Sequence, residues 1–357
     1  MAKIPQIHGA LLEEIVLILL AQAGYRQILV GEEGTSLGVA GLEVEGRGSP
    51  HQIDALVTPL HSHSFIYPIR LIVEAKCENR VIGVGIVRSL VGTLLDLNQN
   101  FIQTHRRGGH ALFLQRFNYH AAIFAANGFS ERAERYALAH QVFLIEYTNT
   151  SLLRPIIDAL LAFDLGDFSH GEGADPRFAM TELREGFRRA LSTNGDVAPG
   201  AVFSERGLGK IRETLLPALG ELRGSYYGMI QGMYPVHLIS RRPISPGLIL
   251  QEGSIPCEIR VSDDNQTWAF EPAGVHSDSP DFFHLEFSLP EIIAETLRSR
   301  ARDAADRVPE WLQVANLKRD FLRYIDISTM VGDRMIGFRL LLDEDWLDRY
   351  VQNRQTQ

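Results

Sequence analysis

The sequence predicts an α/β (α+β) fold in which a mixed β-sheet flanked by helices is followed by a second α+β domain. Three observations lead there. Segments of helical and of strand periodicity alternate through the first 150 residues. A change of composition near Asp164 to Pro176 gathers Gly, Asp, Ser and His between apolar segments and marks a boundary, dividing the chain into residues 1–165 and 176–357. Beyond it, helical stretches precede several strand-like runs.

Apolar Leu11, Leu12, Ile15, Val16, Ile18, Leu19 and Leu20 recur at helical spacing and predict a helix from Ile7 to Gly24, where glycine supplies a stop. Leu37 to Val44 reads as one strand. Gln52 to Thr58 reads as another, and Ile69 to Lys76, largely β-branched up to its charged end, pairs with it as an antiparallel hairpin. A helix is expected from Ile86 to Ile102, then a basic turn at Arg106 to Gly109. A buried strand from Ala121 to Ala126, a helix from Ser130 to His140 with Ser130 as N-cap, and a strand from Val142 to Tyr147 follow, an order that suggests a right-handed crossover. In the second half, helices are expected over Thr181 to Leu191 and Arg206 to Leu222. Strands are expected at Ser225 to Ser240, Leu248 to Val261, Thr267 to Glu271, Phe282 to Ser288 and Met335 to Leu342, with a helical stretch from Pro290 to Tyr324.

Composition narrows the function classes. The 357 residues are 45% hydrophobic and 22% charged, as in a soluble globular protein. Cys77 and Cys257 are far apart, which excludes a disulfide scaffold and a zinc ribbon and fits a reducing compartment. Ile15 to Ala23 is too short to span a bilayer and lacks a basic leader, so no membrane association is expected and the location expected is cytoplasmic. A net charge of -9 argues against a polyanionic partner, but only weakly, because nucleic acid is bound by a local basic surface.

The residues that carry chemistry sit on the predicted hairpin. Asp54 near the middle of one strand and Glu74 near the end of the other can project to one edge of the sheet and hold a hydrated Mg²⁺ or Mn²⁺. Glu74 and Lys76 share a strand face by period two, and the Ala75 carbonyl offers a further oxygen ligand. Lys76 would orient or deprotonate an attacking water and offset charge on a phosphate. The plain alternative is that these are turn-proximal charges paired with Lys76 or Arg70.

With those residues in place, His51 to Leu56 followed by Leu71 to Cys77 resembles the PD-(D/E)XK restriction-endonuclease-like nucleases, and within them the Mrr-like branch. The similarity spans roughly residues 7 to 150 and includes Ala122 to Ser130 through Val142 to Glu146. Ile53 stands where the motif often has proline. The resemblance implies a restriction-endonuclease-like fold, catalytic Asp54, Glu74 and Lys76, and an opening-helix glutamate beside the metal, best matched by Glu13 with Glu14 possible. It also implies hydrolysis of DNA phosphodiester bonds in restriction or antiphage defence, as a homo-oligomer or within a defence complex. The C-terminal domain would then sense a signal ligand, recognise substrate or bind a partner protein. Alternatives on the same fold are a nucleic-acid-binding or complex-forming protein without independent activity, and a structure-specific nuclease or RNase.

Lesser candidates have bland counterparts. Gln52 could contact a metal-bound water or a phosphate, or be solvated strand polarity. Arg88, and the turn at Arg106 and Arg107 with His105 and His110, could contact phosphate or lie in solvent. His51, His61 and His63 read as a solvent-facing loop; Gly83 and Gly85 lack a following Walker lysine. Trp268, Trp311 and Trp346 read as core.

Overall fold

The computed structural model describes residues 3–38, 41–61, 66–105, 111–169, 179–197, 202–261, 267–294 and 319–355. The protein has an α+β fold, and the chain divides into two compact units, residues 1–144 with 155–219, and 145–154 with 220–357.

In the first unit, α1 (Ile4–Gln22) is closed by Gly24, whose φ of 88° turns the chain into β1 (Tyr25–Gln27). The single strand expected at Leu37 to Val44 is instead a hairpin of β2 (Thr35–Gly38) and β3 (Gly41–Glu45), joined by β4 (Pro50–Gln52) into a small sheet. The expected strand from Gln52 to Thr58 is likewise divided. The Ile53 N–H donates to the Leu42 carbonyl of the small sheet, and β5 (Ala55–Pro59) begins only after Asp54.

The main sheet runs β1-β5-β6-β9-β10, with β6 (Ile69–Lys76), β9 (Asn118–Ala125) and β10 (Phe143–Glu146). β6 is its centre. It pairs antiparallel with β5, Ala55 opposite Val73 and Val57 opposite Leu71, and parallel with β9 from Ile69 with Asn118 to Lys76 with Ala125. Leu56, Ile72, Ala121 and Ile123 form one apolar face, packed with Val87, Leu90 and Val91 of α2 (Val84–Asn98) and Ala133 and Ala137 of α3 (Glu131–Ala139). Ser130 caps α3 as expected, its hydroxyl accepting the Ala133 N–H at 3.3 Å. Helix α2 ends earlier than expected, because Phe101–His105 is a strand, β7, paired with β8 (Ala111–Gln115).

After β10 come α4 (Arg154–Leu161), a single 3₁₀ turn at Leu165–Asp167, and α5 (Met180–Ser192). Helix α6 (Glu205–Lys210) passes through a π-helical turn at Ile211–Leu215 into α7 (Leu216–Glu221). The division between units falls at residues 219–220, beyond the composition change at Asp164 to Pro176. The reason is packing, since α5 buries Leu183, Phe187 and Ala190 and lies against α1.

The second unit is a closed barrel in the order β11-β12-β15-β14-β13-β17-β16. Its strands are β11 (Gly224–Ile230), β12 (Tyr234–Ser240), β13 (Ser254–Val261), β14 (Thr267–Pro272), β15 (Leu285–Ser288), β16 (Tyr324–Val331) and β17 (Arg334–Leu342). The single strand expected over Leu248 to Val261 begins in fact with α8 (Pro246–Glu252), and Gly253, at φ 46°, makes the turn into β13. Trp268 lies in the barrel core and Trp346, on α9 (Glu344–Gln355), packs against it; Trp311 lies outside the described residues.

Helix α1 crosses the C-terminal end of β6 closely. A Cβ on Gly9 would stand 3.4 Å from the Ala75 carbonyl oxygen. Gly9→Ala should therefore be tolerated, the gain in helix propensity offsetting the tight contact. Gly9→Val should lower stability by about 1–3 kcal/mol, through overpacking of α1 against β6, as read by urea denaturation.

Candidate active site

The β5/β6 register assembles the site. Ala55 faces Val73, so extending the pairing by one residue sets Asp54 opposite Glu74. Cross-strand neighbours of this kind hold their Cβ atoms about 5 Å apart on one face. The two carboxyl groups come within hydrogen-bonding reach of each other. Lys76, two residues beyond Glu74 on the same face, contacts the Glu74 carboxylate directly and places Nζ 3.6 Å from Asp54 Oδ2. All three side chains are partly buried.

These groups govern one another's protonation. Burial pushes the Glu74 carboxyl up and the negative charge of Asp54 adds to that, against the pull of Lys76. For Lys76, burial works against the ammonium, but Asp54 and Glu74 together outweigh it and hold the amine above its usual range. Lys76 is therefore a cation at neutral pH.

Behind this cluster, α1 presents Glu13 and Glu14, each only 2% exposed. A buried carboxylate needs a partner, and both partners come from α5. Arg184 forks onto Glu13, Nε to Oε1 at 3.1 Å and Nη2 to Oε2 at 2.6 Å. Arg188, one turn on, grips Glu14 in the same way, Nη2 to Oε1 at 2.8 Å. Burial pushes the Glu13 carboxyl up, to about 8, with Arg184 pulling down and Asp54 and Glu14 pushing up. The charge of Asp54 is felt at both Glu13 and Arg184.

Asp54, Glu74, Lys76 and Glu13 are thus brought together, with Ala75 between two of them under Gly9. Others are not. Gln52 is exposed at the end of β4, opposite Glu43. Arg88 is exposed on α2, its guanidinium 5.4 Å above the Tyr136 ring. His51 belongs to β4 and not to a solvent loop, with Nε2 2.7 Å from Asp96 of α2. Gly83 precedes α2 as its N-cap. His61 is exposed, while His63, Arg106, Arg107 and His110 lie outside the described residues, as does the side chain of His105. Sequence reading missed Arg184 and Arg188; their only signal is a shared helix face at i, i+4 spacing.

The arrangement has the donors a hard divalent cation requires, two adjacent carboxylates and a neighbouring backbone carbonyl, the remainder being water or substrate oxygen. Among the described residues no three His, Cys, Asp or Glu side chains form a complete ligand set. Two carboxylates this close stay charged only with a cation between them, the role Lys76 fills here.

No family model matches the chain, and no curated protein does. A crystal structure described as a protein of unknown function aligns with 59% of this chain and 96% of its own, at 15% identity and a TM-score of 0.33.

The raised Glu13 carboxyl has a signed consequence for stability. A group whose folded pKa exceeds its unfolded value of 4.5 stabilises the fold fully below that value, and the contribution is lost as pH rises through about 8. The melting temperature in EDTA should fall between pH 5 and about 8, and Glu13→Gln should flatten that slope. Arg188→Ala, which strands Glu14, should cost about 2 kcal/mol, and Glu14→Gln in the same chain should recover part of it.

Proposed function

We propose that the first unit is a metal-dependent endonuclease of the PD-(D/E)XK type that hydrolyses DNA phosphodiester bonds. The observation that carries this reading is the convergence on Lys76 of Glu74, on β6, and Asp54, the residue just before the paired part of β5, with the Lys76 Nζ in ion-pair contact with both carboxylates. The resemblance of this hairpin and its flanking elements to Mrr-like domains adds the class of reaction and a role in restriction or antiphage defence, with a bacterial cytoplasm as the setting.

Asp54, Glu74 and the Ala75 carbonyl would hold Mg²⁺ or Mn²⁺. When bound, such an ion polarises the scissile phosphate and lowers the pKa of an attacking water. The residues of the chain divide the remaining work. Lys76, kept protonated by its two acidic neighbours, is an unsuitable base but a strong donor, so it orients the water and neutralises charge growing on the phosphate. Glu13, anchored by Arg184 within electrostatic reach of Asp54, would serve there as a further acceptor for a water once ionised. Gly9 keeps α1 close enough to Ala75 for Glu13, one turn later, to reach that position.

Purified protein with supercoiled plasmid and Mg²⁺ or Mn²⁺ should nick or linearise the DNA, and Asp54→Ala or Lys76→Ala should lower the rate at least about 100-fold. Undiminished cleavage by both variants overturns the assignment. Thermal unfolding gives a check that does not require turnover. An ion at 100 times its dissociation constant should stabilise the wild type by about 2.7 kcal/mol, and Asp54→Ala should abolish the gain.

A further inference from the structure

We propose that Arg70 and Arg116, on either side of Gly34, form a binding site for a phosphoryl group, separate from the acidic hairpin end. Arg70 is 5% exposed, an unusual place for a guanidinium that has no carboxylate within ion-pair distance among the described residues. Among the described residues its five N–H donors meet the Tyr119 hydroxyl at 3.3 Å, and its face lies 3.4 Å above the Phe117 ring. Stacking on an aromatic ring holds the guanidinium plane in place but leaves its donor edge to be satisfied otherwise.

Part of that edge approaches Gly34. Gly34 has φ of 76° and no side chain; where a Cβ would stand, Arg70 Nη1 is 3.6 Å away and Arg116 Nη1 3.9 Å away. Two guanidinium groups and the Phe117 ring therefore converge on the side of Gly34 that carries no side chain. The local charges do not cancel. Arg26 pairs with Glu32 through Nη1 at 2.9 Å, and Arg116 pairs with Glu33 through Nε at 2.9 Å, which leaves Arg70 in excess. A carboxylate is satisfied by one guanidinium fork, whereas a tetrahedral phosphoryl group has oxygens for two. Glu33, largely exposed, is the counterion that an incoming anion would displace from Arg116.

The ligand class is a phosphoryl group, borne by inorganic phosphate, by a nucleoside monophosphate or by a nucleic-acid backbone. Arg70 and Glu74 share a face of β6 four residues apart, about 13 Å, so the site stands whether or not the acidic pair is catalytic.

The test uses the full chain in EDTA, which removes any divalent ion that could bridge phosphate to Asp54 and Glu74. Binding is measured by calorimetry with inorganic phosphate and thymidine monophosphate, and by fluorescence anisotropy with a short DNA duplex. At least one probe should bind the wild type. Arg116→Ala should weaken that probe about tenfold, the effect of one charge-assisted contact. Glu33→Gln should tighten it, since the competing carboxylate is gone. Arg135→Ala, which removes an exposed arginine on α3, should leave it unchanged. Sensitivity of the small probes alone identifies a free phosphate or nucleotide site. Sensitivity of the duplex, with a salt slope reduced by about 1, identifies a backbone contact. Failure of all three probes to bind the wild type, or equal binding by wild type, Arg116→Ala and Glu33→Gln, overturns the proposal.

Discussion

Two carboxylates facing each other at the end of a strand pair repel unless a cation or a proton stands between them, and Lys76 provides the cation beside Asp54 and Glu74. The rest of the first unit serves that juxtaposition. β6 must lie between β5 and β9 for Glu74 and Lys76 to be fixed in direction, and its apolar residues Ile72 and Val73 anchor it from both faces. The chain must also leave the small sheet at Ile53, so that Asp54 enters the register as its first unpaired residue. Charge at the strand end is thereby bound to a hydrophobic strand that cannot slip by one residue without carrying Ile72 away from its packing against α2 and α3.

A second tier of charge lies behind the first, and it explains why α5 belongs to the N-terminal unit. Glu13 and Glu14 are adjacent on α1 and both buried, so one face of that helix could not close without cations. Arg184 and Arg188 supply them from one face of α5, more than 170 residues away in sequence. Both bonds are forked, which fixes the two helices in rotation as well as in distance. The cost of burying these groups is offset only while each carboxyl keeps its guanidinium.

Much of the first unit was legible in the sequence because its signals are local. The apolar periodicity of α1, the β-branched run of β6 and the Ser130 cap each state their structure within a few residues. Asp54, Glu74 and Lys76 could be singled out because a strand displays its chemistry at spacing two. What escaped depends on distant partners. Leu37 to Val44 is apolar enough for one strand, yet Gly38 and Gly41 allow a hairpin that only the pairing with β4 reveals. Phe101–His105 continues the apolar pattern of α2 and becomes strand through pairing with β8. Arg184 carries no mark in sequence that distinguishes it from Arg189, and its role follows from Glu13. The barrel was hidden for the same reason, since β13 lies parallel to β17 across a long interval of chain.

The net charge of -9 stands as an objection to a polyanionic partner only if charge is spread evenly, and it is not. At the hairpin end three carboxyl groups, Asp54, Glu74 and Glu13, stand with Lys76 and Arg184, and a divalent ion that drew the proton off Glu13 would find three carboxylates against two cations. Farther back along β6, Arg70, Arg116 and Arg26 exceed Glu32 and Glu33, so the local field favours an anion. One member of each group, Glu74 and Arg70, lies on the same face of β6, about 13 Å apart. In the proposed reading, that polarity lets one strand hold a metal ion at one end and a phosphate at the other. Neither local field follows from the sum over the whole chain.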